Sequence, residues 1–315
     1  MARPYVSDPS PNHGDYAFLT DRDGIEALFG RSARFYVPLL REIMPQVFRV
    51  RYDFEDTSTY ERKLLDGTYT CADGNRVYWR DFLFYAHLVV SASLHRNCRL
   101  IDASVRERRA SSLPGWASCT RALLEAIGDS STTLRAILSL LADKHHLIRR
   151  CLEGKEDQTV VVSSEVEDLM IHFTHARRLT KGEKKRLPPS HEAKPAAEYI
   201  RELAAHGMPH APELYSELCA LSHPAADSVK YLFSNTGEGT VFRIDPYADR
   251  RAIDSLVAAY SAVFEDLLMV AVNPILLTLR VFHAFPLFPD IPELRAVDFS
   301  AIPAWATIEK GMKRR

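Results

Sequence analysis

No stretch of this 315-residue sequence is expected to span a membrane. The most apolar segment, 253 to 285, is interrupted by Asp254, Glu265, Asp266, Asn273 and Arg280, which are costly in lipid. Residues 1 to 20 hold no apolar core of signal-peptide length, so the expected compartment is the cytoplasm. Glycine and proline are sparse, at 13 and 18 residues, which excludes collagenous and low-complexity chains. Cys71, Cys98, Cys119, Cys151 and Cys219 are odd in number and scattered without C-x-x-C spacing, as suits a reducing environment. An excess of one charge is missing too: 40 basic against 41 acidic residues give no global field for nucleic acid or an anionic membrane. Phosphate-cradling glycine loops and the G-x-S-x-G elbow are absent, which removes nucleotide-driven and hydrolase readings. No solenoid-length repeat is present.

What is present is helical period. Apolar residues make up 46% of the chain and recur at three- and four-residue spacing. The expected fold is mostly α, an antiparallel helical bundle. Residues 1–80 are expected to form an arm and helices packed on the bundle, 81–235 the central bundle, and 236–315 long helices and a tail, together one compact unit. Asp21 or Asp23 caps a short helix through Ile25, Leu28 and Phe29, and a longer helix through Leu39, Leu40 and Ile43 stops near Pro45. In residues 66–79, Ala-Asp-Gly-Asn between aromatic and β-branched residues predicts a β-hairpin. Four helices are expected from Asp81 to Leu179, with breaks at 111–116, 128–131 and 153–158. Residues 177–195 carry seven Lys or Arg against two Glu around Pro188-Pro189, and are expected to be a mobile basic linker. It lacks aromatic residues for stacking single-stranded bases. Helices over 195–206, 211–223 and 224–233 follow, then a short strand or loop at 237–245. The long helix from 247 is expected to divide at Asn273-Pro274.

Four groups carry candidate chemistry. His223 precedes Pro224, so it is expected at a corner between two helices, its imidazole aimed by the backbone. Tyr215 lies beside the Leu214, Leu218 and Leu221 stripe and needs a partner for its hydroxyl. Arg121 and Glu125 are four apart on a helix whose other face is Trp116, Cys119, Leu123 and Ile127; a central position for that helix requires them to be paired. Glu165, Asp168, His172 and His175 form a stripe of the kind that holds iron, manganese or zinc, with Asp168, His172 and His175 as candidate ligands; a second Glu-x-x-His is missing.

The combination Arg121, Leu124, Glu125, Ala126 with Tyr215, Leu218, His223, Pro224 resembles a group of bacterial helical proteins loosely related to the HEPN superfamily and associated with abortive infection and phage defence. The resemblance spans about residues 85 to 235. It implies convergence of Arg121, Glu125, Tyr215 and His223 between helices, RNA as a partner, and homodimers or a partner protein. HEPN ribonucleases carry an Arg and a His four to six residues apart on one helix, the Arg on the phosphate and the His on the RNA 2′-hydroxyl. Residues 216–219 are Ser, Glu, Leu and Cys, so that Arg is missing before His223, whereas Arg201/His206 and Arg186/His191 fit the spacing. Three functions follow as alternatives: an RNA-binding or RNA-cleaving effector needing neither metal nor cofactor, a non-catalytic interaction protein, and a metal-dependent enzyme using Asp168, His172 and His175.

Overall fold

In the computed structural model residues 18–224, 226–235 and 242–313 are described, and they are mostly helix. The first helix, α1 (Arg22–Phe29), starts where the Asp21 carboxylate accepts the Gly24 N–H at 2.9 Å, and buries Ile25, Leu28 and Phe29. α2 (Ala33–Val47) runs past Pro45, with α3 (Thr57–Leu65) after it. α4 (Cys71–Arg109) and α5 (Leu113–Asp143) are joined by three residues and lie against each other as a long antiparallel pair. α6 (His145–Leu152), α7 (Ser164–His175), α8 (Ala196–Ala205), α9 (Ala211–Ser222) and α10 (Asp227–Lys230) follow. β1 (Phe233–Asn235) and β2 (Phe242–Ile244) pair antiparallel, then come α11 (Ala248–Ala259), α12 (Ser261–Phe282), α13 (Pro292–Arg295) and α14 (Pro303–Lys313).

The hub is α5. It packs on α4, α12, α8 and α9, and also touches α7 and α14. One apolar core runs through all of them, from Phe18 to Ile308. α12 is long and apolar enough to cross a membrane by length and composition, yet most of its apolar window is buried against this core.

The mostly α fold with a small hairpin stands, but the hairpin is at 233–244 and not at 66–79. There, Asp66-Gly67 makes a turn with Gly67 at φ 72°, and Thr70 with Asp73 forms a capping box that starts α4. The Gly-Asn pair is used for packing inside that helix. A Cβ on Gly74 would meet the Leu64 side chain, while buried Asn75 donates to the carbonyls of Glu156 and Thr159 and accepts the Val161 N–H.

Two expected breaks are also continuous helix. Gly128 lies within α5, where a Cβ would collide with the Tyr199 carbonyl of α8, and Ser130 and Ser131 bond back to carbonyls of their own helix. Small residues here permit close helix approach rather than a turn. α12 passes through Pro274 and the break falls at Tyr260. Asn97 donates to the Ala271 carbonyl at 3.3 Å, and Tyr36 to Asn273 Oδ1 at 2.6 Å, so neighbouring helices supply bonds around the proline.

The basic segment 177–195 folds back on itself instead of running as a linker. Arg177 exchanges backbone bonds with His191 and Ala193, two 3₁₀ turns form, and Arg177 pairs with Glu183 and Lys184 with Glu192. The Arg177 hydrogen bond and the Thr180 N–H hold Glu183 down at about 2.

Candidate functional site

α9 begins with Pro212 in its first turn, where a backbone N–H has no intrahelical acceptor to lose, and buries Ala211, Leu214 and Leu218 against α5. It ends on Ser222. His223 leaves the helix with φ −96° and ψ 151°, the extended geometry required before proline, and its N–H returns to the Cys219 carbonyl at 3.1 Å. Pro224 does not open the next helix, since α10 starts at Asp227. His223 therefore projects from the end of α9 with its ring exposed.

On α5 the buried face is Trp116, Leu123, Leu124 and Ile127, which turns Arg121 and Glu125 toward α9. Arg121 Nη1 donates to Ser222 Oγ at 3.0 Å and meets His223 Nε2 at 3.1 Å. A guanidinium only donates, so Nε2 is the acceptor in this contact. Arg121 Nε lies 3.6 Å from Glu125 Oε1, and the Tyr215 hydroxyl donates to that same oxygen at 2.7 Å. Burial first, and then the Glu125 carboxylate and Cys219, push the Tyr215 phenol up, which keeps it a donor. Arg121 and Glu125 are each about one-quarter to one-third exposed, at 26% and 33%. The four residues thus meet at a spot open to solvent. Its fifth member, Ser222, escaped the sequence reading, although its place beside His223 at the helix end was the available signal.

The single-helix pairs do not assemble. Arg201 lies on α8, and His206, five residues on, is the residue that caps its C-terminus. Exposed Arg201 reaches back to the Ala197 carbonyl, and His206 Nδ1 is bound to the Glu202 carbonyl at 2.6 Å. Arg186 ends one 3₁₀ turn while His191 ends the other, its ring 6.0 Å from that of His175.

The expected metal stripe is likewise corrected. His172 uses both ring nitrogens, Nδ1 with the Ser190 carbonyl and Nε2 with the Tyr199 hydroxyl, each at 3.2 Å. His175 Nδ1 is engaged by Thr174 and Tyr85, and Asp168 is exposed. Among the described residues no group of three His, Cys, Asp or Glu side chains is disposed to hold a metal ion. Val166 and Met170 face the core, so the other side of α7 turns its imidazoles toward the folded-back basic segment and α8.

Compared with protein-family models, with curated proteins and with solved structures, the chain gives no match.

Proposed function

We propose that Arg121, Glu125, Tyr215 and His223 form a site for an RNA phosphodiester, and that the protein binds and cleaves RNA without metal as a HEPN-like effector in bacterial defence or stress. The observation that carries this is one guanidinium shared by two helices: Arg121 contacts Ser222 and His223 on one side and faces Glu125 on the other. A cation, an imidazole and a carboxylate therefore share one solvent-accessible spot.

Each has a role in cleavage. The His223 ring in its neutral form takes the proton of a 2′-hydroxyl as that oxygen attacks the adjacent phosphorus, and returns it to the departing 5′-oxygen. Arg121 leaves His223 for the phosphate and balances the charge that develops on its non-bridging oxygens. Glu125, fixed by the Tyr215 hydroxyl, keeps the guanidinium in place. The products are a 2′,3′-cyclic phosphate and a 5′-hydroxyl. Incubation of the wild type with single-stranded and hairpin RNAs in EDTA is expected to yield those ends. Intact RNA, or cleavage that appears only on adding a divalent cation, would count against the reading.

The interaction-protein reading has its own observation: the Tyr215–Glu125 bond ties α9 to α5 across 90 residues of sequence. In that case Tyr215→Phe lowers stability by about 1 kcal/mol and the unaltered protein is inert toward RNA.

A further inference from the structure

Away from that site, α3, the first half of α4, α7 and the segments carrying Phe54, Val160 and His191 line a half-open pocket of about 840 Å³. This is within the range of small-molecule sites. Its walls mix aliphatic and aromatic side chains: Tyr60 comes from α3, and Tyr78, Phe82 and Tyr85 recur along one side of α4. Met170 and Ile171 of α7 face them. The charged groups in the lining have one sign. Glu55, Glu61, Asp81 and Glu167 are there, and no Lys or Arg is.

Two of these carboxylates already have cations. Lys63 holds Glu55 at 2.7 Å and keeps it below the usual carboxylate range, and Arg80 pairs with Asp81 at 2.8 Å. Glu61 and Glu167 have no ion-pair partner among the described residues; Glu167 has the Tyr78 hydroxyl at 3.2 Å. His191, another lining residue, has its Nδ1 buried without a hydrogen-bond partner. A proton-bearing cation suits this lining, because it balances the two carboxylates and can donate to His191 Nδ1 in the tautomer that leaves that nitrogen unprotonated. The aromatic faces add attraction for the same charge and bury an apolar body. A neutral ligand leaves the carboxylates uncompensated, and an anion is repelled.

We propose that this cavity binds a small organic amine, a protonated ammonium group carried on an aromatic or apolar body, with Glu61 and Glu167 balancing its charge and Tyr60, Tyr78 and Tyr85 covering its body. The site shares no residue with the Arg121 cluster and stands whether or not RNA is cleaved there.

Isothermal titration of the full chain at neutral pH with tryptamine, tryptophol and indole-3-propionate compares one ring system carrying positive, neutral and negative tails. Tryptamine is expected to saturate, and to bind at least about tenfold more tightly than tryptophol. Glu61→Gln and Glu167→Gln are each expected to weaken tryptamine severalfold, with tryptophol binding and melting temperature unchanged. Glu61 is exposed, so its carboxamide variant keeps the fold. Equal binding of the alcohol or the acid, an affinity indifferent to both variants, or no saturation by tryptamine at millimolar concentration would each overturn the proposal.

Discussion

Two arginine–histidine pairs can be set side by side in this molecule. Arg201 on α8 and His206 at its C-terminal cap have the right spacing, yet each is satisfied by a carbonyl of α8. Arg121 and His223 are 102 residues apart and meet at 3.1 Å, because the α9 corner delivers an imidazole to the polar edge of α5. Spacing along a chain measures proximity only within one element. Between elements, burial decides: the apolar faces of α5 and α9 lock together and leave their polar flanks opposite each other.

The comparison is sharpened first by His223→Ala. Loss of the proton-transfer group is expected to lower RNA cleavage about a thousandfold, equivalent to about 4 kcal/mol of barrier. The melting temperature is expected to stay near that of the wild type, since the ring is exposed. Rate and melting curves measured on one preparation separate the two effects.

A second contrast is between exposed His223 and buried His87, which stacks on Phe288 at 4.7 Å between ring centres. Burial pushes His87 down to about 3. Between that value and the ordinary 6.5 the unfolded chain binds a proton that the folded chain does not, so stability falls as pH drops below 6.5. From pH 7 to pH 4.5 the wild type is expected to lose about 3 kcal/mol more than His87→Gln in denaturant titrations. Parallel losses in the two proteins would mean that His87 is charged in the fold.

Gly128→Ala probes the contact that brings α8 onto α5. The added methyl meets the Tyr199 carbonyl, so destabilisation of about 1–3 kcal/mol is expected by chemical unfolding. Gly182, with open space around it and an ordinary φ of −73°, is the control, and Gly182→Ala is expected to change stability by less than about 0.5 kcal/mol. The smallest effect belongs to the pair that spacing favoured. Arg201→Ala/His206→Ala is expected to leave cleavage within about twofold of the wild type. A loss comparable to that of His223→Ala would move the active residues to α8.

Much of this was readable from residues alone. The Asp21 cap, the α8 and α9 limits and the extended His223-Pro224 step follow from local chemistry, whereas the meeting of Arg121, Glu125, Tyr215 and His223 was expected only from the family resemblance. What was misread shares one cause. Gly74-Asn75, Gly128 and Pro274 carry turn signals, but each sits where another part of the chain supplies a partner or demands close approach: the 156–161 loop for Asn75, Tyr199 for Gly128, and Asn97 and Tyr36 around Pro274. Local propensity is overridden where tertiary contacts satisfy the backbone. The basic segment was misjudged for a related reason, because its charges find acidic partners, Glu183 and Glu192, within the segment itself.

The most direct test of the Arg121–His223 site is a cycle of cleavage rates for the wild type, Arg121→Ala, His223→Ala and the double variant. Groups that act as one unit lose their effect together, so the double variant is expected to be no slower than the slower single variant. Losses that multiply, or single variants that cleave at the wild-type rate, would contradict a shared site.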